Sequence, residues 1–125
     1  MNQFLYKQET YDIIGLCMEV HSNLGKGFSE IVYKDAMALE AKWQHISFER
    51  EKELSIVYKS EILKHSFFAD FLFFENIIVE VKAIDKEMSA EHIAQTLNYL
   101  KACNVSVGLI INFGRNSLEY KRLIF

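Results

Sequence analysis

Apolar side chains recur at helical intervals through the N-terminal third of the chain, which predicts two helices. We expect the first over about residues 9–23, with Thr10 available as an N-cap and Gly25 ending it. The second is expected over about residues 29–44. Their apolar stripes consist of Ile13, Leu16, Cys17, Val20 and Leu24 in the first helix and Val32, Ala36, Leu39 and Trp43 in the second. Both helices are therefore amphipathic.

The period of the pattern changes from 3.6 to 2 after the second helix, and a period of 2 is typical of strands. Apolar and polar residues alternate over residues 54–58, and Lys59-Ser60 predicts a turn. Two more strands are expected over about residues 63–73 and 77–83. The middle of the chain is therefore predicted to form antiparallel hairpins.

Helical spacing returns for a third helix over about residues 89–102. Ser89 is a suitable N-cap, and Met88 and Ile93 are placed to form a hydrophobic staple. The expected buried face consists of Ile93, Ala94, Leu97 and Leu100. This helix would connect the hairpins to the last part of the chain.

Two strands close the chain. VSVGLIINF, residues 105–113, is a continuous apolar run typical of a strand covered on both faces, and residues 118–124 alternate as an edge strand does. The order α, α, β, β, β, α, β, β predicts an α/β fold, an α/β/α sandwich with a central mixed sheet. We expect a single domain over residues 1–125.

Three charged residues interrupt the apolar strand pair ADFLFFENIIVEVKA, residues 69–83. Glu80 and Lys82 are two apart on one strand and share a face. A three-residue loop over 74–76, with Asn76 in the left-handed conformation, would place Asp70 opposite Glu80. A two-residue loop would place Asp70 on the other face unless a bulge restored the parity. We expect one of these devices to bring the three charges together.

Two adjacent carboxylates repel each other unless a cation lies between them, and hard oxygen ligands suit Mg²⁺ or Mn²⁺. Lys82 beside Asp70 and Glu80 would remain protonated, able to stabilise charge on a phosphate or to orient water. The three charges therefore predict a metal and phosphate site. A structural ion-pair cluster at the end of the sheet is the alternative.

Composition narrows the class of protein. Half of the residues are hydrophobic, the net charge is −3, and the basic residues form no dense cluster, so we expect no extended DNA-binding track. The longest apolar stretches are too short to span a membrane. Cys17 and Cys103 are isolated, which predicts reduced thiols and a cytoplasmic location.

These motifs together resemble the PD-(D/E)XK nuclease superfamily. Asp70 is followed after ten residues by Glu80-Val81-Lys82. The run 95–99 matches the Q-x-x-x-Y signature of the RecB-like branch, and the run 27–33 matches G-x-x-E-x-x-Y, which names a small bacterial family. The resemblance implies a restriction-endonuclease-like αβββαβ core with an extra N-terminal helix and a C-terminal strand.

The resemblance also implies a role for each motif residue. Asp70 and Glu80 would ligate Mg²⁺ or Mn²⁺ together with the Val81 carbonyl, and Lys82 would position water and steady the phosphate. Gln95 would act at the same site, as a catalytic or supporting group. The other implied residues are Glu30, for a metal-bound water or a second ion, and Tyr99 and Tyr33, as substrate-binding or supporting groups.

Simpler interpretations exist for several of these residues. Glu30 could be only a first-turn carboxylate favoured by the helix dipole. Tyr33 could be a packed and hydrogen-bonded core tyrosine. Gln95 could be a polar residue at the edge of the core face.

The leading hypothesis is a divalent-metal-dependent nuclease that hydrolyses phosphodiester bonds, with DNA favoured over RNA as the partner. The alternative is a non-catalytic module that retains the fold and binds nucleic acid or protein. A third is a metal-dependent hydrolase of a small nucleotide or phosphorylated substrate. A homodimer or larger complex is a further expectation, because the last strand offers an edge for pairing. No membrane partner is expected.

Overall fold

A five-stranded mixed sheet forms the middle layer of the fold, with the strands in chain order. The computed structural model describes residues 5–125, so the first four residues of the expected domain lie outside the described residues. Its elements are α1 (Lys7–Leu24), α2 (Glu30–Trp43), β1 (Phe48–Tyr58), β2 (Glu61–Phe73), β3 (Ile77–Lys82), α3 (Ala90–Ala102), β4 (Val107–Asn112) and β5 (Glu119–Ile124). The order of elements is the predicted one.

The sheet is antiparallel except for β3 and β4, which pair in parallel through the crossover helix α3. Helices α1 and α2 cover one face, where Phe71, Val79 and Leu109 belong to the larger core cluster. Helix α3 covers the other face, where Ile78 and Ile110 belong to the smaller cluster. Strands β3 and β4 are therefore buried on both faces. The predicted α/β/α sandwich is confirmed.

The loop between β2 and β3 has the predicted length but not the predicted conformation. Phe73 pairs with Ile77, which leaves residues 74–76 as the loop. Positive φ angles occur at Phe74 (55°) and Glu75 (63°) rather than at Asn76. The amide of Asn76 donates to the Phe73 carbonyl at 3.0 Å and its side chain donates to the Phe74 carbonyl at 2.9 Å. Asn76 therefore closes the turn by hydrogen bonding instead of by adopting the left-handed conformation.

The expected apolar stripe of α2 is wrong for Leu39 and Trp43, whereas Ala36 packs against the larger core cluster as expected. Leu39 and Trp43 are 47% and 65% exposed, and the face that packs on the sheet contains Tyr33, Met37 and Ala41. The buried Tyr33 ring stacks on the Phe113 ring, with centroids 4.5 Å apart. The buried residues are spaced four apart and so form one face of the helix. With Tyr33 packed on Phe113, this face lies against the sheet in place of the stripe expected from hydrophobicity.

Two smaller expectations about the helices also need correction. Thr10 lies inside α1 and is buried, because the helix begins at Lys7 and not at the expected cap. In α3, Ala94 is exposed and Thr96 is buried, its hydroxyl donating to the His92 carbonyl at 3.2 Å. The expected caps at Ser89 and Gly25 are confirmed, since Ser89 accepts from the His92 amide and Gly25 ends α1. No helix among the described residues is both long and apolar enough to cross a membrane.

The loop after β4 approaches the loop after β3 too closely for any side chain at Gly114. A Cβ built there would lie 2.4 Å from the backbone nitrogen and oxygen of Ile84.

We therefore expect Gly114→Ala to lower the free energy of unfolding by about 1–3 kcal/mol, measured by urea denaturation. Gly15→Ala is the control, because a Cβ at Gly15 meets nothing within 4 Å on helix α1. It should raise that free energy by about 0.5–1 kcal/mol. Equal stability of wild type and Gly114→Ala would contradict the close approach.

Candidate active site

Asp70 and Glu80 face each other where β2 and β3 separate. The antiparallel register ends at the pair Phe71 and Val79, so Asp70 and Glu80 are the next residues on the two strands. Beyond this pair, backbone amides donate to side-chain carboxylates instead of to backbone carbonyls. The Asp70 amide donates to Glu80 Oε2 at 2.8 Å, and the Val81 amide donates to Asp70 Oδ2 at 2.8 Å. Each carboxylate is therefore fixed by the backbone of the opposite strand.

A break in the alternation of β2 directs Asp70 out of the sheet. Phe71 belongs to the core on the α1 and α2 face, whereas Ala69 belongs to the core on the α3 face. Residues two apart in a regular strand share a face, so the alternation fails at Asp70. Glu51 lies in β1 between the residues that pair with Phe71 and Ala69, and its φ angle of 54° is strained for a residue other than glycine. This irregularity brings Asp70 within reach of α2.

Lys34 on α2 contacts Asp70 from the helical layer. Its ammonium donates to Asp70 Oδ1 at 3.0 Å and also contacts Glu51, and its side chain is only 10% exposed. Burial tends to lower the pKa of Lys34, but the hydrogen bonds with Glu51 and Asp70 and their charges outweigh it and raise the pKa. Lys34 is therefore a buried positive charge held between two carboxylates.

Glu80 is harder to ionise than an ordinary glutamate. Burial, followed by the charge of Asp70, raises the pKa of Glu80 to about 7. The hydrogen bond from the Asp70 amide and the charges of Lys82 and Lys34 lower the pKa but do not compensate. A cation bound beside Glu80 would lower its pKa again. Because that pKa is near neutrality, the cation would strongly change how much of Glu80 is ionised.

Lys82 lies two residues after Glu80 at the end of β3, on the same face of the strand. Its neighbour in the parallel register is Asn112, whose side chain is fully buried. Asn112 accepts from the amides of Ile84 and Gly114 at 3.0 Å each and donates to the Ile84 carbonyl at 3.1 Å. Asn112 thereby fixes the chain that leaves β3 immediately after Lys82.

The donor set fits a hard divalent cation. No group of three or more His, Cys, Asp and Glu side chains suited to a metal occurs within residues 5–125, and the site itself presents the two carboxylates of Asp70 and Glu80. The Val81 amide points to Asp70, and the carbonyl of a strand residue points to the same side as its amide. The Val81 carbonyl therefore faces the same gap. Two carboxylates and one carbonyl suit Mg²⁺ or Mn²⁺, which complete their shells with water and substrate phosphate.

Glu30 lies close to this site along α2 without bonding to it. It is the exposed first residue of the helix, one turn before Lys34. No hydrogen bond joins it to Asp70 or Glu80 in the part of the chain that the structure describes. Its position at the N-terminus suits a carboxylate on helix-dipole grounds alone. The implied second-ion role of Glu30 stays a prediction.

Tyr33 braces the loop between α1 and α2. Its hydroxyl donates to the Gly25 carbonyl at 2.5 Å and accepts from the Phe28 amide at 3.3 Å. The ring is fully buried against Phe113. These contacts give Tyr33 a structural function, and its supporting role at the site would act through the loop.

Gln95 and Tyr99 lie on α3, one helical turn apart. Gln95 is exposed and lines a shallow hollow with Ile56, Asn98 and Tyr99. The Tyr99 ring stacks on Phe67 of β2 with centroids 4.2 Å apart. Among the described residues neither side chain hydrogen-bonds to the carboxylate pair, so their implied roles stay predictions.

Three residues of the site are not predicted by the sequence motifs: Lys34, Glu51 and Asn112. Lys34 follows the motif tyrosine but resembles an ordinary surface lysine, and Glu51 is one of several acids in an alternating strand. Asn112 does carry a signal, because it is the only polar residue among VGLIIN and a buried strand rarely ends in an unpaired amide. Their contacts depend on tertiary structure.

The fold and this carboxylate pair define a class: an α/β/α protein with two acids and a lysine at the junction of its central strands. A protein-family model described as the PD-(D/E)XK nuclease superfamily matches residues 7–123, and the chain belongs to that superfamily. Its nucleases generally use divalent metal ions, so membership indicates a metal-dependent nuclease-type function. No curated protein and no solved structure gave a significant match.

The raised pKa of Glu80 predicts how stability depends on pH in EDTA. Because folding raises this pKa from 4.5 to about 7, the native state binds the proton more tightly than the unfolded state. The contribution of Glu80 to the free energy of unfolding should be full below pH 4.5 and should disappear as the pH rises through about 7. The loss should be at most about 3 kcal/mol.

Urea denaturation of wild type and Glu80→Gln between pH 4.5 and 8 measures this loss, since glutamine cannot titrate. We expect the difference in free energy between the two proteins to shift in favour of Glu80→Gln as the pH rises. A difference that is constant over the whole range would show that burial does not perturb Glu80.

Proposed function

We propose that the protein is a divalent-metal-dependent nuclease whose active site is formed by Asp70, Glu80 and Lys82. The observation that carries the proposal is the reciprocal anchoring of the two carboxylates, each by a backbone amide of the opposite strand. This arrangement keeps two like charges close together, at the energetic cost that the raised pKa of Glu80 reflects. Lys34 forms an ion pair with Asp70, but within residues 5–125 no lysine forms one with Glu80, so the two carboxylates together suit a further cation.

The ion would be Mg²⁺ or Mn²⁺, held by Asp70, Glu80 and the Val81 carbonyl, and when bound it would neutralise charge developing on the phosphate. The backbone amides hold both acids in place, so the main change that binding of the ion would require is that Lys34 leave Asp70. Lys82, on the same face as Glu80, would steady a phosphate oxygen or orient the attacking water. Asn112 would support this by fixing the chain beyond Lys82.

Nucleic acid is the substrate class that membership of the superfamily supports, and we propose DNA in preference to RNA. With a net charge of −3, the chain would bind phosphates mainly through its local site rather than through bulk attraction. The Q-x-x-x-Y motif at residues 95–99 supports assignment to the RecB-like branch, and the G-x-x-E-x-x-Y motif at residues 27–33 supports assignment to the small family named after it. On this proposal Gln95 and Tyr99 on α3 would contact or support the substrate.

A cleavage assay tests the proposal. Labelled single-stranded DNA, duplex DNA and RNA would be incubated at low salt with Mg²⁺, Mn²⁺ or EDTA. We expect cleavage only with metal, a loss of at least about a hundredfold in Glu80→Ala, and a comparable loss in Lys82→Ala. Lys42→Ala is the matched control, since Lys42 is an exposed lysine in the last turn of α2.

Two outcomes would contradict the nuclease proposal. Cleavage that persists in both site variants would point to a contaminant. Absence of cleavage by a folded protein that binds Mn²⁺, on all three substrates, would exclude nuclease activity on them. A small phosphorylated or nucleotide substrate would then be the next to test.

A non-catalytic binding module is the second candidate, and one contact favours it. Lys34 already neutralises Asp70 at 3.0 Å, so the site can be stable without a metal. Such a module would bind a nucleic-acid or protein partner equally well in wild type and Asp70→Asn. Binding of fluorescently labelled DNA in EDTA, measured by anisotropy for both proteins, separates this candidate from the enzyme.

A further inference from the structure

Both oxygens of Asp70 are occupied. Oδ2 accepts from the Val81 amide at 2.8 Å, and Oδ1 accepts from the Lys34 ammonium at 3.0 Å. The amide is a neutral group fixed in the sheet, whereas the ammonium is a full positive charge at the end of a flexible side chain. A divalent cation ligated by Asp70 would therefore meet its strongest opposition from Lys34.

Glu51 offers Lys34 a second place to bind. Its carboxylate also contacts the Lys34 ammonium, yet its side chain is 53% exposed while that of Asp70 is 19% exposed. The strained backbone of Glu51, with a φ angle of 54°, directs this side chain to Lys34 beside Asp70. A residue in such a conformation within a strand is typical of a β-bulge, a feature that often redirects a side chain beside an active site.

We propose that Lys34 is a positioning residue that serves as the counter-ion of Asp70 while the site lacks metal and that, when a divalent cation binds, it releases Asp70 and stays bound to Glu51. The inference rests on the proposed metal site. Lys34 then sets how readily the site takes up metal: it stabilises the metal-free carboxylates and competes with the ion for Asp70. Glu51 favours the metal-bound state, because it retains the displaced ammonium.

Two substitutions should consequently change metal affinity in opposite directions. Lys34→Met removes the competing charge, and we expect the Kd for Mn²⁺ to fall by about tenfold. Glu51→Gln removes one of the two carboxylates that bind Lys34, so the ammonium stays with Asp70. The Kd for Mn²⁺ should then rise about threefold or more. A purely structural role for this ion pair would weaken binding in both variants. Lys42→Met, an exposed lysine on the same helix, should leave the Kd unchanged.

Isothermal titration calorimetry with Mn²⁺ measures these constants, and thermal unfolding in EDTA provides a readout that needs no activity. In EDTA we expect Lys34→Met to have a lower Tm than wild type, because Asp70 and Glu80 lose a counter-charge. Saturating Mn²⁺ should raise the Tm of Lys34→Met by more than that of wild type. Should Lys34→Met fail to fold in EDTA, Lys34→Gln and Glu51→Gln still give the two directions.

The outcomes separate this inference from the nuclease proposal. Weaker Mn²⁺ binding in both variants, or no change in Lys34→Met, overturns the role of Lys34 and leaves the nuclease proposal intact. Mn²⁺ binding with opposed shifts but no cleavage supports the role of Lys34 and contradicts the nuclease. Glu80→Gln serves as the reference for no binding. If wild type binds Mn²⁺ no better than this variant, both the role of Lys34 and the nuclease proposal are overturned.

Discussion

The exchange of backbone hydrogen bonds between Asp70 and the strand that carries Glu80 is the interaction on which the site depends. A regular ladder would pair amides with carbonyls, but here carboxylates on β2 and β3 take two of the amides, each at 2.8 Å. The strands can then separate without leaving these amides unsatisfied. The same bonds hold two negative charges close together at the junction of the central strands. The same two hydrogen bonds therefore allow the sheet to open locally and hold the site together.

Burial and positive charge oppose each other at this junction. The surrounding core raises the pKa of Glu80, and the charges of Lys82 and Lys34 act in the other direction. Further positive charge at the site would favour the ionised form of both acids. This is a physical reason for a cation that is independent of any sequence motif. It also explains why a lysine from the helical layer is stable in a position where a lysine is seldom buried.

The order of elements and the carboxylate pair were predictable from the sequence, because both depend on local information. Period, caps and glycines define the elements, and the length of the loop after Phe73 fixes the register that joins Asp70 to Glu80. The buried face of α2 was not predictable from hydrophobicity. Tyr33 and Lys34 are buried there while Leu39 and Trp43 are exposed, since the contacts of the tyrosine with Phe113 and the Gly25 carbonyl decide the rotation of the helix. Only tertiary structure contains that information.

The rotation of α2 also has a consequence for the chemistry. If the helix packed by the stripe of Leu39 and Trp43, the face bearing Tyr33 would turn away from the sheet, and Lys34, the next residue, would turn with it. Instead the tyrosine anchors the face beside Lys34, so the ammonium meets Asp70 and Glu51. A packing contact between two aromatic rings therefore determines which positive charge the metal-free carboxylates receive. In this fold a helix that packs on the core also contributes a charge to the site.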